Sequence, residues 1–558
     1  MIIPSDPVEK QFFYDDLVRQ CLVSRSKRFE FYQILRNYYL YGSKDSNGAV
    51  YNKIGSVIDT LASFIYTPDT VRFSIFLGET ASPEDIFKQI PLAREVKDQW
   101  RMSATHLLYG KGMRWSLVYG TMLMKIMWHR GMIRSYLVEP HQFGVLREDI
   151  VSLADQEAFC MCYTTTRSQL ESSLYGNPRK GSIMAKVSNT GTSEGDKLYA
   201  DGMQRLVLGG PVGGVAGSVA PGMGGGYPSG GMTGRGVQYN YRPEVDAQMI
   251  DMVDLYVMDD STGDYQLVTI ASPDVIIYDR PQSEVGVSKI PHFVCIRPEQ
   301  NLYDYFWSDS YVARLAPLQD WRSERIEQVR GLMARQYKPP ITAIGLGGLS
   351  DEKLAAFMVP GGRIASSTPG GKVDVMQPQM PQDAFAELAH IDQMFDDVAG
   401  IGHIIQGKGE PGVRSKGQAD LMARLGSSRP KNRAIIAEEC AEDIATLILR
   451  NVQDHSAQRF TAQIPGQKEP LTFIAEQFTR DYEVKVDSHS SSPIFIEDRK
   501  HDAVTLLEAK AIDRDSFIEM FDPPNAQLLK EKLRIIEQKE AQVAQMQAQQ
   551  AEKQKTVQ

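Results

Sequence analysis

Between residues 308 and 398 the chain carries two helix-forming stretches of opposite charge, held apart by a segment broken by glycine and proline. The first opens at Ser308, a capping residue, and is predicted to run to Lys338. Its apolar stripe is Tyr311, Leu315, Leu318, Ile326, Val329 and Met333, with Arg322 in the missing place. Pro317 predicts a kink or a restart, and Pro339 with Pro340 ends the helix. At 1.5 Å per residue it would be about 45 Å long. It carries Arg314, Arg322, Arg325, Arg330 and Arg335 against Asp320, Glu324 and Glu327. The second stretch, Gln382 to Val398, carries Asp383, Glu387, Asp392, Asp396 and Asp397 with neither Lys nor Arg. Its expected apolar face is Phe385, Leu388, Ile391, Phe395 and Val398, and Gly400 and Gly402 stop it. Gly345, Gly347, Gly348, Pro360, Gly361, Gly362, Pro369, Gly370 and Gly371 punctuate the interval. It therefore reads as a small module inserted between two antiparallel helices. Helices of opposite sign can pair within one chain or between neighbours in a ring.

The surrounding sequence alternates helical and strand-like stretches, which predicts an α+β chain. Ser5, Asp6 and Pro7 offer a helix start, followed by Phe12, Phe13, Leu17 and Cys21 at helical spacing. Phe29 to Leu40 and Asn52 to Ile65 continue as helices, and Val71 to Phe76 reads as a short strand. Residues 94 to 127 read as two helices broken near Gly110. Residues 133 to 165 and 253 to 280 read as strands. The second of these blocks holds the clearest hairpin, with Asp259 to Asp264 as its turn. Between the blocks, 13 of the 28 residues from Gly209 to Gly236 are glycine. Such a composition buries too little surface to offset its backbone entropy, so this is a flexible insertion within a domain. After the second helix, Ile401 to Lys416 is a glycine-bearing loop. A long helix follows to about Asn451, with a capping box at Ser415 and Gln418 and an expected kink at Pro430. Its stripe is Ile435, Ile436, Cys440, Ile444 and Leu447. Residues 459 to 496 return to strands. From Asn525 the sequence is helical, with Leu529, Ile536 and Val543 at seven-residue spacing.

Composition excludes several classes. The 558 residues are 42% apolar and 23% charged, enough for three or four cored units and unlike a disordered chain. A net charge of −9 argues against wrapping nucleic acid over the whole surface. Cys21, Cys160, Cys162, Cys295 and Cys440 form no disulfide framework and fit a reducing compartment. No secretion signal and no run of about 18 apolar residues is visible, so no membrane partner is expected.

Catalytic and cofactor motifs are weak. Gly407, Gly409 and Gly412 match G-x-G-x-x-G, but a helix precedes them and Pro411 lies inside, unlike a dinucleotide loop. Pro369 to Lys372 lacks the Ser or Thr and the upstream glycine of a phosphate loop. Asp69, Glu95 and Lys97 have the spacing of a metal-dependent nuclease core, which would need Glu95 and Lys97 on a strand. The expected helix there does not put alternate residues on one face. Cys160 and Cys162 have no partner pair at zinc spacing. Asp259, Ser261 and Gly263 resemble part of a calcium loop without its closing Glu, and turn chemistry suffices. No catalytic residue, no metal site and no cofactor is expected. The alternative kept open is a phage nuclease using Asp69, Glu95 and Lys97.

The order of elements resembles the portal, or head-to-tail connector, protein of tailed bacteriophages, in particular the short-tailed type. The resemblance is carried by SDSYVARLAPLQDWRSERIEQVRGLMARQYKPP, by PGGRI, by QDAFAELAHIDQMFDDVAG and by IGHIIQGKGEPGVRSKGQADLMARLGSS. IGSVIDTLASFIYTPDTVRF and the helices around Trp100 to Trp128 also look like that family's wing. The resemblance implies a mixed wing over residues 1–306, with the glycine-rich insertion at 185–240. It implies stem helices over 307–338 and 381–400, a small α/β clip over 339–380 and a channel loop over 401–417. The long kinked helix and the strands returning to the wing would span 418–500, and a helical crown 501–558. It further implies a structural protein without enzymatic activity. About twelve copies would form a ring at one capsid vertex, assembled in the host cytoplasm, with double-stranded DNA passing through its channel. Its implied partners are the terminase packaging motor, the major capsid and scaffolding proteins, and a tail adaptor or head-completion protein. Lys408, Arg414 and Lys416 are the candidate phosphate contacts of the loop. Arg322, Arg325, Arg330, Arg335, Asp383, Glu387, Asp392 and Asp396 are the candidate stem and inter-subunit residues.

Overall fold

The computed structural model describes residues 1–26, 28–45, 51–67, 71–79, 81–82, 84–129, 131–187, 249–272, 274–299, 305–337, 341–344, 372–375, 384–400, 428–462, 471–486, 503–509, 511–512, 514–521 and 532–533. Over these residues the chain is mixed α+β with several antiparallel sheets. It divides into two compact units. One comprises Met1–Ala62 and Lys111–Arg429, the other Ser63–Gly110 and Pro430–Gln558.

The first unit begins with helices α1 (Pro7–Ser26), α2 (Phe29–Tyr41) and the start of α3 (Lys53–Ile65). Asp6 caps α1, accepting from the backbone N–H of Val8 and Glu9, both at 3.1 Å. α2 ends on Gly42, whose φ of 70° is the left-handed stop that favours glycine. Further along the chain lie α5 (Thr105–Tyr119), β2 (Met122–His129), β3 (Met132–Val138), β4 (Phe143–Val145) and β5 (Ala158–Thr166). α6 (Arg167–Ser173), α7 (Lys180–Lys186), β6 (Met249–Asp259), β7 (Asp264–Ala271), β8 (Val275–Pro281) and β9 (Phe293–Ile296) follow.

β4 to β8 form one antiparallel sheet in sequence order, and β3, β2 and β9 form a second. β5 pairs with β6 from Ala158↔Val257 to Thr166↔Met249, so the chain joins one sheet on either side of the glycine-rich stretch. Of that stretch, α7 reaches Lys186, and residues 188 to 248 lie outside the described residues. The expected hairpin is β6–β7, with Asp259 facing Asp264. Asp259 accepts from the N–H and Oγ of Ser261, and Gly263 has a φ of 64°, so turn chemistry accounts for the calcium-like residues.

Alternation along the strands gives the large sheet two buried faces. Ala158, Cys160, Cys162, Val253, Leu255 and Val257 pack against Tyr14, Leu17, Val18 and Cys21 of α1. Phe159, Tyr256, Tyr265 and Leu267 pack with Leu123, Val138 and Phe293 of the smaller sheet. Gly144 lets α1 approach β4, since a Cβ there would lie 2.7 Å from the Cys21 carbonyl oxygen. The five cysteines are free thiols, consistent with Cys160 and Cys162 being two strand residues on one face.

Residues 94 to 127 depart from the expected pair of helices broken near Gly110. α4 (Asp85–Met102) and α5 break instead at Ser103 and Ala104, where Ala104 takes a φ of 55°. Gly110 is inside α5, and so is Gly112, where a Cβ would crowd Ile296 and Leu137 at 2.9 Å. Residues 122 to 129, including Trp128, are strand β2, paired on both edges with β3 and β9. A short apolar run has no periodicity to separate strand from helix, and the two neighbouring strands decided it.

In the second unit, β1 (Phe73–Leu77) pairs with β14 (Tyr482–Val486), and β12 (Arg459–Ala462) with β13 (Leu471–Ile474). α10 (Ser428–His455) holds them: Tyr109 donates to the Ala437 carbonyl at 2.5 Å, and Tyr482 to Gln453 Oε1 at 2.8 Å. Pro430 falls in the first turn of α10, where a missing N–H leaves no bond unmade. Ile435, placed in the stripe by sequence, is exposed, while Ala434, Ala437, Cys440, Ala441, Ile444 and Ile448 are buried. Residues 415–427 lie outside the described residues, as does nearly all of the chain after 521, including the Leu529, Ile536 and Val543 seam; α11 (Arg514–Phe521) is described.

Candidate functional site

The charged stretches form α8 (Tyr311–Tyr337) and α9 (Ala384–Ala399). Of the interval between them, strands β10 (Ile341–Ile344) and β11 (Lys372–Val375) are described, and they pair antiparallel. α8 starts three residues later than expected because Ser310, not Ser308, caps it, accepting from the Ala313 N–H at 3.1 Å. It continues through Pro317. α9 ends at Gly400, whose φ is 62°.

The two helices run antiparallel, as three contacts show. Arg325 meets Glu387, Arg322 Nε meets Asp392 Oδ1 at 2.8 Å, and the Tyr311 hydroxyl donates to the Val398 carbonyl at 3.3 Å. Their partnership is therefore within one chain. α3 joins them. Lys53 Nζ lies 3.1 Å from Asp392 Oδ1, 2.8 Å from the Asp392 carbonyl and 3.2 Å from Asp396 Oδ1. It also sits 5.2 Å from the centre of the Phe395 ring. The Arg322 guanidinium lies 4.6 Å over the Tyr51 ring.

Gln319 organises this junction. It is wholly buried (0% exposed) in the contact stripe of α8. Its Oε1 accepts from the Lys53 N–H at 3.1 Å, and its Nε2 donates to the Tyr51 carbonyl at 3.0 Å and to Ser323 Oγ at 3.2 Å. A buried amide with its groups satisfied fixes the approach of α3 to α8. Burial tends to raise the Asp392 carboxyl's pKa, but hydrogen bonds from Arg322 and Lys53 outweigh it and hold it below the usual carboxylate range.

The stripe differs from the sequence reading in a regular way. Val312, Leu315, Gln319 and Val329 are the buried positions of α8, with Arg322 and Ile326 half-buried, while Met333 is exposed. On α9, Ile391, Phe395 and Ala399 are buried, while Phe385 and Val398 are exposed. Trp321 of α8 is also exposed. Arg330 and Arg335 point to solvent. The sequence reading missed Lys53, Tyr51 and Gln319. For Gln319 a signal existed, a position one helical turn before Arg322 and after Leu315. For Lys53 none did.

Asp383, Lys408, Arg414 and Lys416 lie outside the described residues, as does Asp69. Glu95 and Lys97 sit on helix α4, two residues apart, and Glu95 accepts from Gln99 one turn on at 2.8 Å. They are not on the strand that the nuclease reading requires. Among the described residues no three His, Cys, Asp or Glu side chains gather as a metal-binding group. Among them, too, no helix is long and apolar enough to cross a membrane. No protein-family model matches the chain, and comparison with curated proteins finds no match.

Proposed function

We propose that this chain is a portal protein of a short-tailed bacteriophage, a structural ring subunit without catalytic activity. The observation that carries the reading is the antiparallel α8–α9 pair, joined through an interval that contains the β10–β11 ladder and followed by a glycine-bearing stretch and the long α10. In this reading α8 and α9 are the stem, the interval is the clip, and residues 401–417 are the channel loop. About twelve copies surround a channel for double-stranded DNA at one vertex of the capsid. The clip receives the packaging motor and later the tail adaptor, and the outer surface meets capsid and scaffolding proteins.

Two physical points support it. The stem charges are satisfied within the chain, so α8 and α9 form a self-contained strut whose shape does not depend on a partner. Its outer side leaves Trp321, Met333, Phe385 and Val398 exposed, which is costly for an isolated chain and useful for one that meets its neighbours. A net charge of −9 suits a conduit through which DNA must slide, because dense phosphate contacts would retain it.

The test is negative-stain imaging with mass measurement of the purified protein. Rings of about twelve copies with an axial hole are expected. A compact dimer or tetramer without a hole would overturn the reading.

A further inference from the structure

One cavity of about 330 Å³ opens beside the start of α8. Its wall is built from Tyr32, Tyr119 and Trp307, with Arg28 and Arg314 at its rim and Ala313 among its lining. The wall is stiff. Tyr32 packs edge-on to Tyr119 at 5.6 Å and to Trp307 at 6.4 Å between ring centres. The Arg28 guanidinium lies 4.5 Å over the Trp307 ring, and its Nη1 donates to the Tyr305 hydroxyl at 2.7 Å. Trp307 Nε1 donates to Glu148 at 3.3 Å, and Glu148 also pairs with Arg28. A rigid, half-open, aromatic pocket with a guanidinium rim is the kind of surface on which a single inserted side chain carries much of an interface's energy.

The same unit presents a matching knob. Phe12, on the outer side of α1, is 71% exposed, and Val8 one turn earlier is 62% exposed. Both would cost free energy in water if nothing covered them. Phe12 is flanked at i−3 and i+4 by the exposed carboxylates Glu9 and Asp16. Among the residues that line the pocket, two guanidiniums stand against the single carboxylate of Asp309. Phe12 therefore brings an aromatic ring between two negative charges to an aromatic socket with a positive rim.

Their placement forbids the contact within one chain. Phe12 is fourteen residues before Ser26, about 21 Å along the axis of α1, and Arg28 lies just past that end. Knob and socket thus sit at opposite ends of one helix. A contact between two different patches of the same chain is heterologous, and it passes from copy to copy until the rotation closes a ring.

We propose that Phe12 of one copy inserts into the Tyr32–Trp307–Arg28 pocket of the next, making a head-to-tail contact of the assembly. The inference rests on the self-assembly proposed above and names the residues that make it. It is tested by site-directed disulfide trapping on the full-length chain. The double variant Phe12→Cys with Ala313→Cys is expected to give a ladder of covalent multimers under mild oxidation, while either single variant gives none above the parent. Independently, Phe12→Asp is expected to raise the concentration needed for assembly by at least about tenfold. Phe12 is solvent-exposed, so unchanged circular dichroism is expected and separates this effect from misfolding. Parent rings that form while the double variant gives no ladder and Phe12→Asp assembles normally would overturn the contact and leave the ring reading standing. A parent that stays monomeric at every concentration would overturn both.

Discussion

Two ion-pair systems in the first unit make a useful contrast. Between the two sheets, Lys125 of β2 meets Asp254 of β6 at 2.8 Å, with both side chains more than nine-tenths buried. Thr269 and Tyr163 donate to the other carboxylate oxygen at 2.9 and 3.2 Å. The ammonium rests against the rings of Tyr256 and Phe293. Burial pushes the Lys125 pKa down, but the attraction of Asp254 outweighs it and the group stays charged. At the α3–α8–α9 junction, Lys53 and Arg322 share Asp392 and Asp396 in a setting that water still reaches. The buried pair is a fixed element of register between two sheets. The junction is a shared-charge clamp that can lose one member and re-form. Desolvation makes the difference: a buried charge stripped of its partner has no water to turn to.

The largest effect is expected from breaking the buried pair. Lys125→Met leaves Asp254 uncompensated and should destabilise the first unit by about 3–5 kcal/mol. Adding Asp254→Leu should recover part of this, because the charge is gone while the hydroxyls of Thr269 and Tyr163 lose their acceptor. Denaturant unfolding of the single and double variants measures both. If Lys125→Met cost no more than a junction variant, the contrast would fail.

Next comes Gly120. Its φ is 88°, and a Cβ there would lie 1.9 Å from the Ser308 carbonyl oxygen. Gly120→Ala should cost about 2 kcal/mol or more, by strain and by displacing the segment that leads into α8. Loss of hydrogen-exchange protection in the first turns of α8 would locate the damage.

A smaller effect is expected at the clamp. Arg322→Met should cost about 1 kcal/mol or less, because Lys53 keeps Asp392 paired and solvent screens what remains. Lys53→Met should loosen α9 more than Arg322→Met does, since Lys53 serves both Asp392 and Asp396. Hydrogen exchange in α9 compares the two.

The smallest effects are in pH dependence, and they have opposite signs. Asp392 has a lowered pKa in the folded chain, so its contribution is present above the unfolded value and is lost as acid takes pH below it. Asp15 behaves in reverse. Burial, with Asp274 nearby, pushes its pKa up to about 6, so its favourable contribution is present below about 4 and is lost as pH rises towards 6. Asp15→Asn should remove that loss and modestly raise the melting temperature at pH 7 relative to pH 4.

Much of the local structure was legible in the residues. The Asp6 and Pro7 start of α1, the β6–β7 hairpin around Asp259 and the stop at Gly400 follow from chemistry confined to a few neighbouring residues. The opposite charges of α8 and α9 were legible as well, and so was Arg322 as an oddity within an apolar stripe. The stripe itself was read one step out of phase at Leu318 and Gln319. A polar residue in a contact row is invisible until its partner is known, and the Tyr51 and Lys53 backbone lies more than 260 residues away in sequence. Residues 122 to 129 were misread for the same reason. Met122 to Trp128 is nearly all apolar, so only the flanking strands β3 and β9 could make it a strand.

By itself the sequence determined the alternation that gives the large sheet two buried faces, the positions of caps and turns, and the signs of charge on the two long helices. These depend on periodicity, on φ preferences and on side chains a turn apart. Tertiary structure alone decided that Lys125 would meet Asp254, that α3 would supply the cation between Asp392 and Asp396, and that Gly120 would have to yield space to Ser308. Those outcomes depend on which distant segments share a volume. Close packing and the cost of leaving a buried charge or amide unpaired then choose among many arrangements that are locally equivalent.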